Sequence, residues 1–422
     1  MQTRAGEAAG RGDRVGRLDV RSEIGRLELV MVHRPGREIE NLTPERLHAL
    51  LFEDIPYLPA MRREHDAFVR VLRRHGVRVL YVEELLAEVL AEAEVRRPFI
   101  RAFLRESGYP LDDPWQEEAR LLADHLGELP AAELVEALVG GVRRSELPAL
   151  SRRRLVDLLE PSTPFVLEPL PNLYFMRDPA AVVGGGVLVS RMASEARRRE
   201  SLLLEAVVRH HPLFARGEVP RWYERDLPYP VEGGDILVLS PETVAIGMGE
   251  RTGARAVETV AARLFAAGVA GRVLAVELPR HRAFMHLDTV LTVVAPRQVA
   301  VHQVVVERGL RVFTLLPGRD GRPEVARVEG LRKALEREVG GGVDLIPTGG
   351  NDPVASAREQ WNDGANTLAL EPGRIVAYER NEISNRELER HGVRVEVIPG
   401  GELSRGRGGP RCMTMPLRRA PL

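Results

Sequence analysis

The sequence predicts an α/β fold of five similar units, interrupted once by an all-helical insertion. Three observations carry this reading. Strand and helix signals alternate with a rough period along most of the 422 residues. Turn residues recur between the first two strands of successive units, at Pro241, Pro296 and Pro372-Gly373. One stretch, from about residue 86 to 160, breaks the rhythm with helical periodicity alone.

The first unit runs from LELVMV (27–32) through MRREHDAFVRVLRRHG to RVLYVEE. The second opens at AAVVGGGVLVS (180–190) and continues into ARRRESLLLEAVVRHH. The third holds DILVLS (235–240), TVAIGM (243–248), a helix around ETVAARLFAAG, and RVLAVELP (272–279). The fourth holds DTVLTVVAP, QVAVHQVVVE, EGLRKALEREVG and VDLIPTGG; the fifth holds NTLALEP, RIVAYER, SNRELERHG and VRVEVIPGG. Each is read as strand, strand, helix, strand, and Gly76, Gly268 and Gly392 suit left-handed caps at the helix ends. Like units in series bury each flank against the next, which implies a closed radial array, with an open α/β sheet as the alternative.

The insertion contains ELLAEVLAEAEVRRPFIRAFLRES and WQEEARLLADHLGELPAAELVEALVGGV, with apolar residues at three- and four-residue spacing and no strand signal. The expected division is a disordered tail over 1–17, an α/β body over 18–86 and 160–422, and the helical insertion over 87–159.

Composition narrows the function. Sixty basic residues against 61 acidic ones leave a net charge of −1, so no global field draws the chain to nucleic acid or an acidic membrane. No apolar run reaches the roughly 18 residues of a membrane span, and the first 20 residues lack the apolar stretch of a secretory signal. The expected location is the cytoplasm. The single cysteine, Cys412, excludes an internal disulfide and any Cys-based structural zinc site.

Four segments put polar residues where strands begin or end. In NLYFMRDP (172–179), Pro179 biases Asp178 towards extended geometry, although a turn-capping Asp178 reads as well. In EGGD (232–235), Glu232 and Asp235 flank two glycines that permit a close backbone approach; a hairpin turn is the alternative. In His286-Leu287-Asp288, strand alternation would put the imidazole and the carboxylate on one face, as a catalytic pair or a structural ion pair. In LSRGRGGPRC (403–412), Arg405, Arg407 and Arg411 lie within seven positions of Cys412 and are expected to lower its pKa. The rival reading of that last segment, an RGG-like RNA-binding stretch, is disfavoured by its shortness and its lack of aromatics. Together a thiol, a His and carboxylates at 178, 232, 235 and 288 suit a cationic substrate attacked by sulfur, and a guanidinium fits carboxylates in bidentate fashion.

With these motifs assembled, the sequence resembles bacterial arginine deiminases. The resemblance spans nearly the whole chain: EIGRLELVMVHRPGREIENLTPE, LLFEDIPYLPAMRREHDAF, PNLYFMRDP, EGGDILVLS, MHLDTVLT, REQWNDGANTLALEPG and SRGRGGPRCMTMPL, in that order. It implies a five-unit pseudo-symmetric α/β propeller of the guanidino-modifying superfamily, with no metal and no cofactor. It further implies hydrolysis of L-arginine to L-citrulline and ammonia in arginine catabolism, by a homo-oligomer.

By motif match, Cys412 would be the nucleophile and form an amidino-cysteine intermediate, and His286 would act as acid and then as base. Asp178 and Asp288 would grip the guanidinium, and Glu232 would hold His286 or the guanidinium. Asn172, Phe175 and Asp235 would line the substrate pocket, while Arg197, Arg251 and Arg407 would hold the amino-acid end of the substrate, with Arg198 and Arg199 as alternatives to Arg197. Met176 departs from the Thr usual in the family and, lying inside a binding motif, is expected to tune affinity.

The alternative within the superfamily is an amidinotransferase passing the same adduct to an amine. A non-catalytic binding module is a third reading, disfavoured because thiol, His and carboxylates are all retained. A metal-hydrolase reading on His210, His211, His281, His286 and His302 lacks HExxH or comparable spacing.

Overall fold

Five β-sheets share one wiring, in which a first strand pairs antiparallel with a second and the second pairs parallel with a third. They are seen in a computed structural model that describes residues 17–112, 117–147, 164–215, 219–302, 309–328 and 330–422. Four of the triplets follow the chain. They are Ala180–Val183, Gly186–Val189 and Arg221–Tyr223; Ile236–Ser240, Thr243–Met248 and Arg272–Glu277; Leu291–Ala295, Gln298–Val301 and Asp344–Pro347; and Leu368–Glu371, Arg374–Tyr378 and Arg394–Ile398.

The other sheet joins both ends of the chain. Leu27–Val32 pairs parallel with Arg78–Tyr81 and antiparallel with Met415–Arg419. This explains why the sequence shows only strand, helix and strand near residues 27–84: the missing first strand arrives from the far terminus. Apolar residues of the two end strands, Leu29, Met31, Met415 and Leu417, enter one core.

Two features depart from the sequence reading. The sheet containing Thr243–Met248 is extended by Val312–Pro317 and Pro323–Val328, an antiparallel hairpin beyond Arg272–Glu277. Leu316 and Val325 in that hairpin are exposed, so its apolar pattern is weak. The expected strand QVAVHQVVVE is a strand over Gln298–Val301, and its residues 303–307 fall outside the described ones.

Helices flank the sheets because their apolar residues fall on one face. Leu58–Arg74 buries Leu58, Met61, His65, Phe68, Val69, Val71 and Leu72. Gly76, Gly268 and Gly392 follow helices with φ of 76°, 64° and 82°, the left-handed geometry expected of them. Val82–Leu90, Ala93–Glu106, Glu117–Glu128 and Ala131–Gly140 are helices in the stretch that breaks the repeat, and the first two pack on helix Arg198–His210. A two-residue strand, Val142–Arg143, then pairs with Phe165–Leu167, so the stretch expected to be all-helical also carries a short strand, too brief to leave an alternating pattern. Residues 1–16 and 148–163, part of the expected tail and of the expected insertion, lie outside the described residues. No helix among the described residues is long and apolar enough to cross a membrane.

The closing strand should therefore matter to stability out of proportion to its terminal position. Leu417→Ala empties a fully buried site and should cost about 2–5 kcal/mol. Leu422→Ala, at a residue 67% exposed, should stay within about 0.5 kcal/mol of wild type. Denaturant unfolding checks both, and equal stability of the two variants would contradict this account of the strand.

Candidate active site

The site lies where the turns that precede the first strands of the five sheets come together. Asn172 to Asp178 precede Ala180–Val183, Glu232 to Asp235 precede Ile236–Ser240, and His286 to Thr289 precede Leu291–Ala295. Asp363 to Asn366 precede Leu368–Glu371, and Arg407 to Cys412 precede Met415–Arg419. A narrow cleft is lined by Asn172, Phe175, Asp178, Arg197, Arg251, His286, Arg407 and Cys412, among others. A larger hollow near Met248, Leu278 and Phe284 contains the Glu277–Arg311 ion pair but is lined by no cysteine and no histidine.

The distances define a charged cage. His286 Nε2 lies 2.8 Å from Glu232 Oε2, and its Nδ1 lies 3.6 Å from Asp178 Oδ1. Cys412 Sγ lies 3.6 Å from Asp288 Oδ2. The Cys412 amide donates to Asn366 Oδ1 at 3.0 Å, and Asn366 Nδ2 donates to the Asp288 carbonyl at 3.2 Å. Asp178 and Asp288 each spend one oxygen on an arginine: Arg197 Nη1 donates to Asp178 Oδ2 at 2.6 Å, and Arg411 Nη1 donates to Asp288 Oδ2 at 2.7 Å. The other oxygen of each, Oδ1, is buried without a hydrogen-bond partner. Gly234 makes this packing feasible, since a Cβ there would stand 2.6 Å from His286 Nδ1 and 2.8 Å from Asp178 Oδ1.

Charge states follow from these contacts. Burial opposes a charge on His286, but the charge of Asp178 and the bond to Glu232 raise its pKa to about 9. Burial would raise Glu232, yet Arg251 and His286 hold it down to about 2. Burial pushes Asp235 and Asp363 up to about 7. Burial, then Asp288, Asp178 and Asp363, push the Cys412 thiol well above its ordinary value.

This last result overturns the expectation that three arginines lower the thiol pKa. Arg405 pairs with Asp54 and Glu402, Arg407 stacks on Trp361, and Arg411 is bonded to Glu23 and Asp288. Carboxylates distant in sequence surround the sulfur instead. The His286-Leu287-Asp288 segment is likewise not extended: Leu287–Thr289 is a 3-10 turn, closed by the Thr289 hydroxyl donating to the His286 carbonyl at 2.7 Å. His286 and Asp288 nonetheless both reach the cage.

Other expected residues divide by position. Asn172, Phe175, Arg251 and Arg407 line the cleft. Arg197 lines it too, but its guanidinium is engaged by Asp178, Glu200 and the Asn172 carbonyl. Arg198 pairs with Glu195, and Arg199 donates to the Glu168 carbonyl, so neither replaces it. Asp235 sits behind the wall, where its Oδ1 accepts the Leu287 amide at 2.9 Å and anchors the His286 turn. Met176 is fully buried in the apolar core and does not line the cleft, so its expected effect on affinity has no contact to act through.

Sequence reasoning passed over Asn366, Glu23 and the buried role of Arg411. The signal for Asn366 was its place: NDGAN stands ahead of TLALEP as EGGD stands ahead of ILVLS. Glu23 carries no comparable local signal.

Known proteins share first the fold and then the family. The dimethylarginine dimethylaminohydrolase of Pseudomonas aeruginosa, solved with citrulline, superposes with a TM-score of 0.51 at 16% identity, covering 92% of this chain and 99% of its own. An amidinotransferase of saxitoxin biosynthesis from Microseira wollei gives 0.53 at 15% identity, covering 95% and 97%. The mixed α/β architecture is thus similar to that of these two enzymes. The arginine deiminase family model matches residues 48–419. An arginine deiminase of Listeria innocua is 45% identical over 417 residues, covering 96% of this chain and 99% of its own, and one of Bacillus cereus strain B4264 is 46% identical over 407. The chain belongs to the arginine deiminase family.

The raised pKa of His286 gives a direct test of the cage. Because the folded value exceeds the ordinary 6.5, this group's contribution to stability is full below about pH 6.5 and fades as pH rises through about 9. The His286 ring-proton shift in NMR should accordingly titrate near pH 9 in the free protein and move to lower pH in Glu232→Gln. A midpoint near 6.5 in both proteins would show that the carboxylates do not hold the imidazolium.

Proposed function

We propose that this protein hydrolyses free L-arginine to L-citrulline and ammonia through a covalent amidino adduct on Cys412. The observation that carries the reading is the pair of unbonded carboxylate oxygens, Asp178 Oδ1 and Asp288 Oδ1, buried beside the only thiol. Two such oxygens call for a cation with N–H groups in more than one direction, which a guanidinium supplies. Donor atoms of Asp178, Glu232 and His286 also lie within 4.8 Å of one another, close enough for a metal ion. Both carboxylates are already paired with arginines, which favours an organic cation there.

The chemistry follows from the charges. In the free protein, burial and three carboxylates keep sulfur protonated. A guanidinium held by Asp178 and Asp288 places a positive charge beside the sulfur, so the thiol loses its proton to solvent when there is a carbon to attack. Thiolate adds to the guanidinium carbon and forms a C–S bond. Protonated His286 gives its proton to one nitrogen, the C–N bond breaks, and ammonia departs, leaving an amidino-cysteine cation. Neutral His286 then takes a proton from water, hydroxide adds to the same carbon, and the C–S bond breaks as the hydroxyl proton is released. Citrulline leaves, and thiolate and imidazolium are restored. Glu232 serves as the positioning residue that keeps His286 oriented and charged.

We further propose that the five sheets close radially into a propeller around this cleft, with residues 87–159 as a helical insertion. Their shared wiring and the convergence of the preceding turns support this.

Protein quenched during arginine turnover should carry one amidino group on the peptide containing Cys412, read by mass spectrometry. Cys412→Ala should abolish citrulline formation while still binding arginine, and His286→Ala should lose about 10²–10⁴-fold in turnover. Citrulline formation by Cys412→Ala at a rate near wild type would end the covalent reading. Transfer of the amidino group to added glycine in place of water would favour amidinotransfer.

A further inference from the structure

The guanidinium of Arg407 lies over the indole of Trp361, with Cζ 3.6 Å from the ring centroid. Arg407 is 3% exposed, yet Nε, Nη1 and Nη2 all lack a hydrogen-bond partner. A buried cation that leaves its whole N–H edge unused is costly unless that edge meets a ligand. The residue lines the cleft together with Cys412, and on its other side it bounds, with Trp361, a second hollow containing Glu53 and Arg380.

Three other arginines line the cleft and are differently placed. Arg197 has its nitrogens committed to Asp178, Glu200 and the Asn172 carbonyl, and Arg282 is bonded to Glu53 and the Leu51 carbonyl. Arg251 has its Nη1 unbonded too, but that nitrogen faces Glu232 at 3.7 Å and helps keep the carboxylate ionised. Arg407 also has a nearby carboxylate, Asp363, which is 2% exposed and has both oxygens unbonded. Asp363 is the opposite charge that Arg407 feels most strongly, but the two make no hydrogen bond. Stacking explains how they stay apart. A cation–π contact uses the face of the guanidinium and fixes its plane, leaving the in-plane N–H groups free. Without the indole, the side chain could turn and pair with Asp363, which would close the fork.

We propose that Trp361 is a positioning residue that holds Arg407 with its N–H fork open to the substrate's α-carboxylate, and so sets the preference for free arginine over guanidino amines. This deepens the arginine reading above and rests on it. Trp361 is 43% exposed and outside the core, so its replacement tests the stack and not the fold.

The test measures binding of arginine and of agmatine, which is arginine without its carboxylate, by calorimetry in the Cys412→Ala protein. Trp361→Leu in that background should weaken arginine binding roughly 10- to 30-fold and agmatine binding by less than about twofold. Trp361→Phe, which keeps an aromatic face, should stay within about threefold of the parent for arginine. Equal losses on both ligands would overturn the proposal, as would unchanged arginine binding or a phenylalanine variant as weak as the leucine one. Trp361→Gln takes the place of the leucine variant if that protein is insoluble. Citrulline formation by wild type is assayed alongside: its absence would end the hydrolase reading and leave the binding comparison intact.

Discussion

Arg411 is the residue on which the rest of the site depends. Its side chain is 1% exposed. Its Nε donates to Glu23 Oε2 at 3.0 Å, its Nη2 donates to the Ile236 carbonyl at 2.7 Å and to Glu23 Oε1 at 3.2 Å, and its Nη1 donates to Asp288 Oδ2. One guanidinium thus ties together the segment before the first strand, the start of Ile236–Ser240, the turn after His286 and the residue next to the nucleophile. Such a buried network is tolerable only when every member is bonded, because a charge left unpaired inside costs several kcal/mol. The network holds Glu23 ionised, down to about 2, against the effect of burial. Its yield in stability can be small even so, because desolvation offsets most of the attraction. What it fixes is geometry: Asp288 is held with Oδ2 on Arg411, 3.6 Å from the Cys412 sulfur, and with Oδ1 unbonded.

The cage above this anchor is built so that two of its acceptor oxygens stay unbonded until something enters. Asp178 and Asp288 each keep one oxygen free, Glu232 is ionised, and the sulfur among them is neutral. A nucleophile placed among carboxylates looks misplaced by comparison with thiols activated by neighbouring cations. In the proposed reaction the activating cation is the substrate, which couples activation of the thiol to occupancy of the site. The protonated His286 is, in that reaction, the proton donor the leaving nitrogen requires.

Much of this was legible in the sequence, and the gaps have physical causes. Units two to five could be read because each strand and helix lies near its neighbours in the chain, so local periodicity reports them. The first sheet could not, because its edge strand Met415–Arg419 comes from the other terminus and pairing over that separation leaves no local trace. Cys412, His286, Asp178, Glu232 and Asp288 stand out in the sequence because they sit in short polar turns ahead of apolar strands. Asn366 occupies the same place in the fifth unit and was passed over because an amide announces less chemistry than a carboxylate. The thiol pKa was misjudged because proximity in sequence stood in for proximity in space. Arg411 adjoins Cys412 in the chain, but its charge is directed to Glu23 and Asp288.

The arginines make the general point. The chain holds a single lysine, Lys333, so nearly every cation is a planar fork with directional N–H groups. A sequence motif records that an arginine is present but not how many of its N–H groups are already engaged, and function at this site turns on that count. Arg411 is closed by Glu23, Asp288 and Ile236, and Arg197 is closed by Asp178, Glu200 and Asn172. Both therefore act by orienting carboxylates. Arg407, stacked on an indole with its edge free, is the one of the three with hydrogen bonds left to give. Residues of one type around one site thus differ, through their neighbours, in how many hydrogen bonds they have left to give. For Arg407 the deciding neighbour is an aromatic face, because a carboxylate in the same place would have used the fork that a ligand needs.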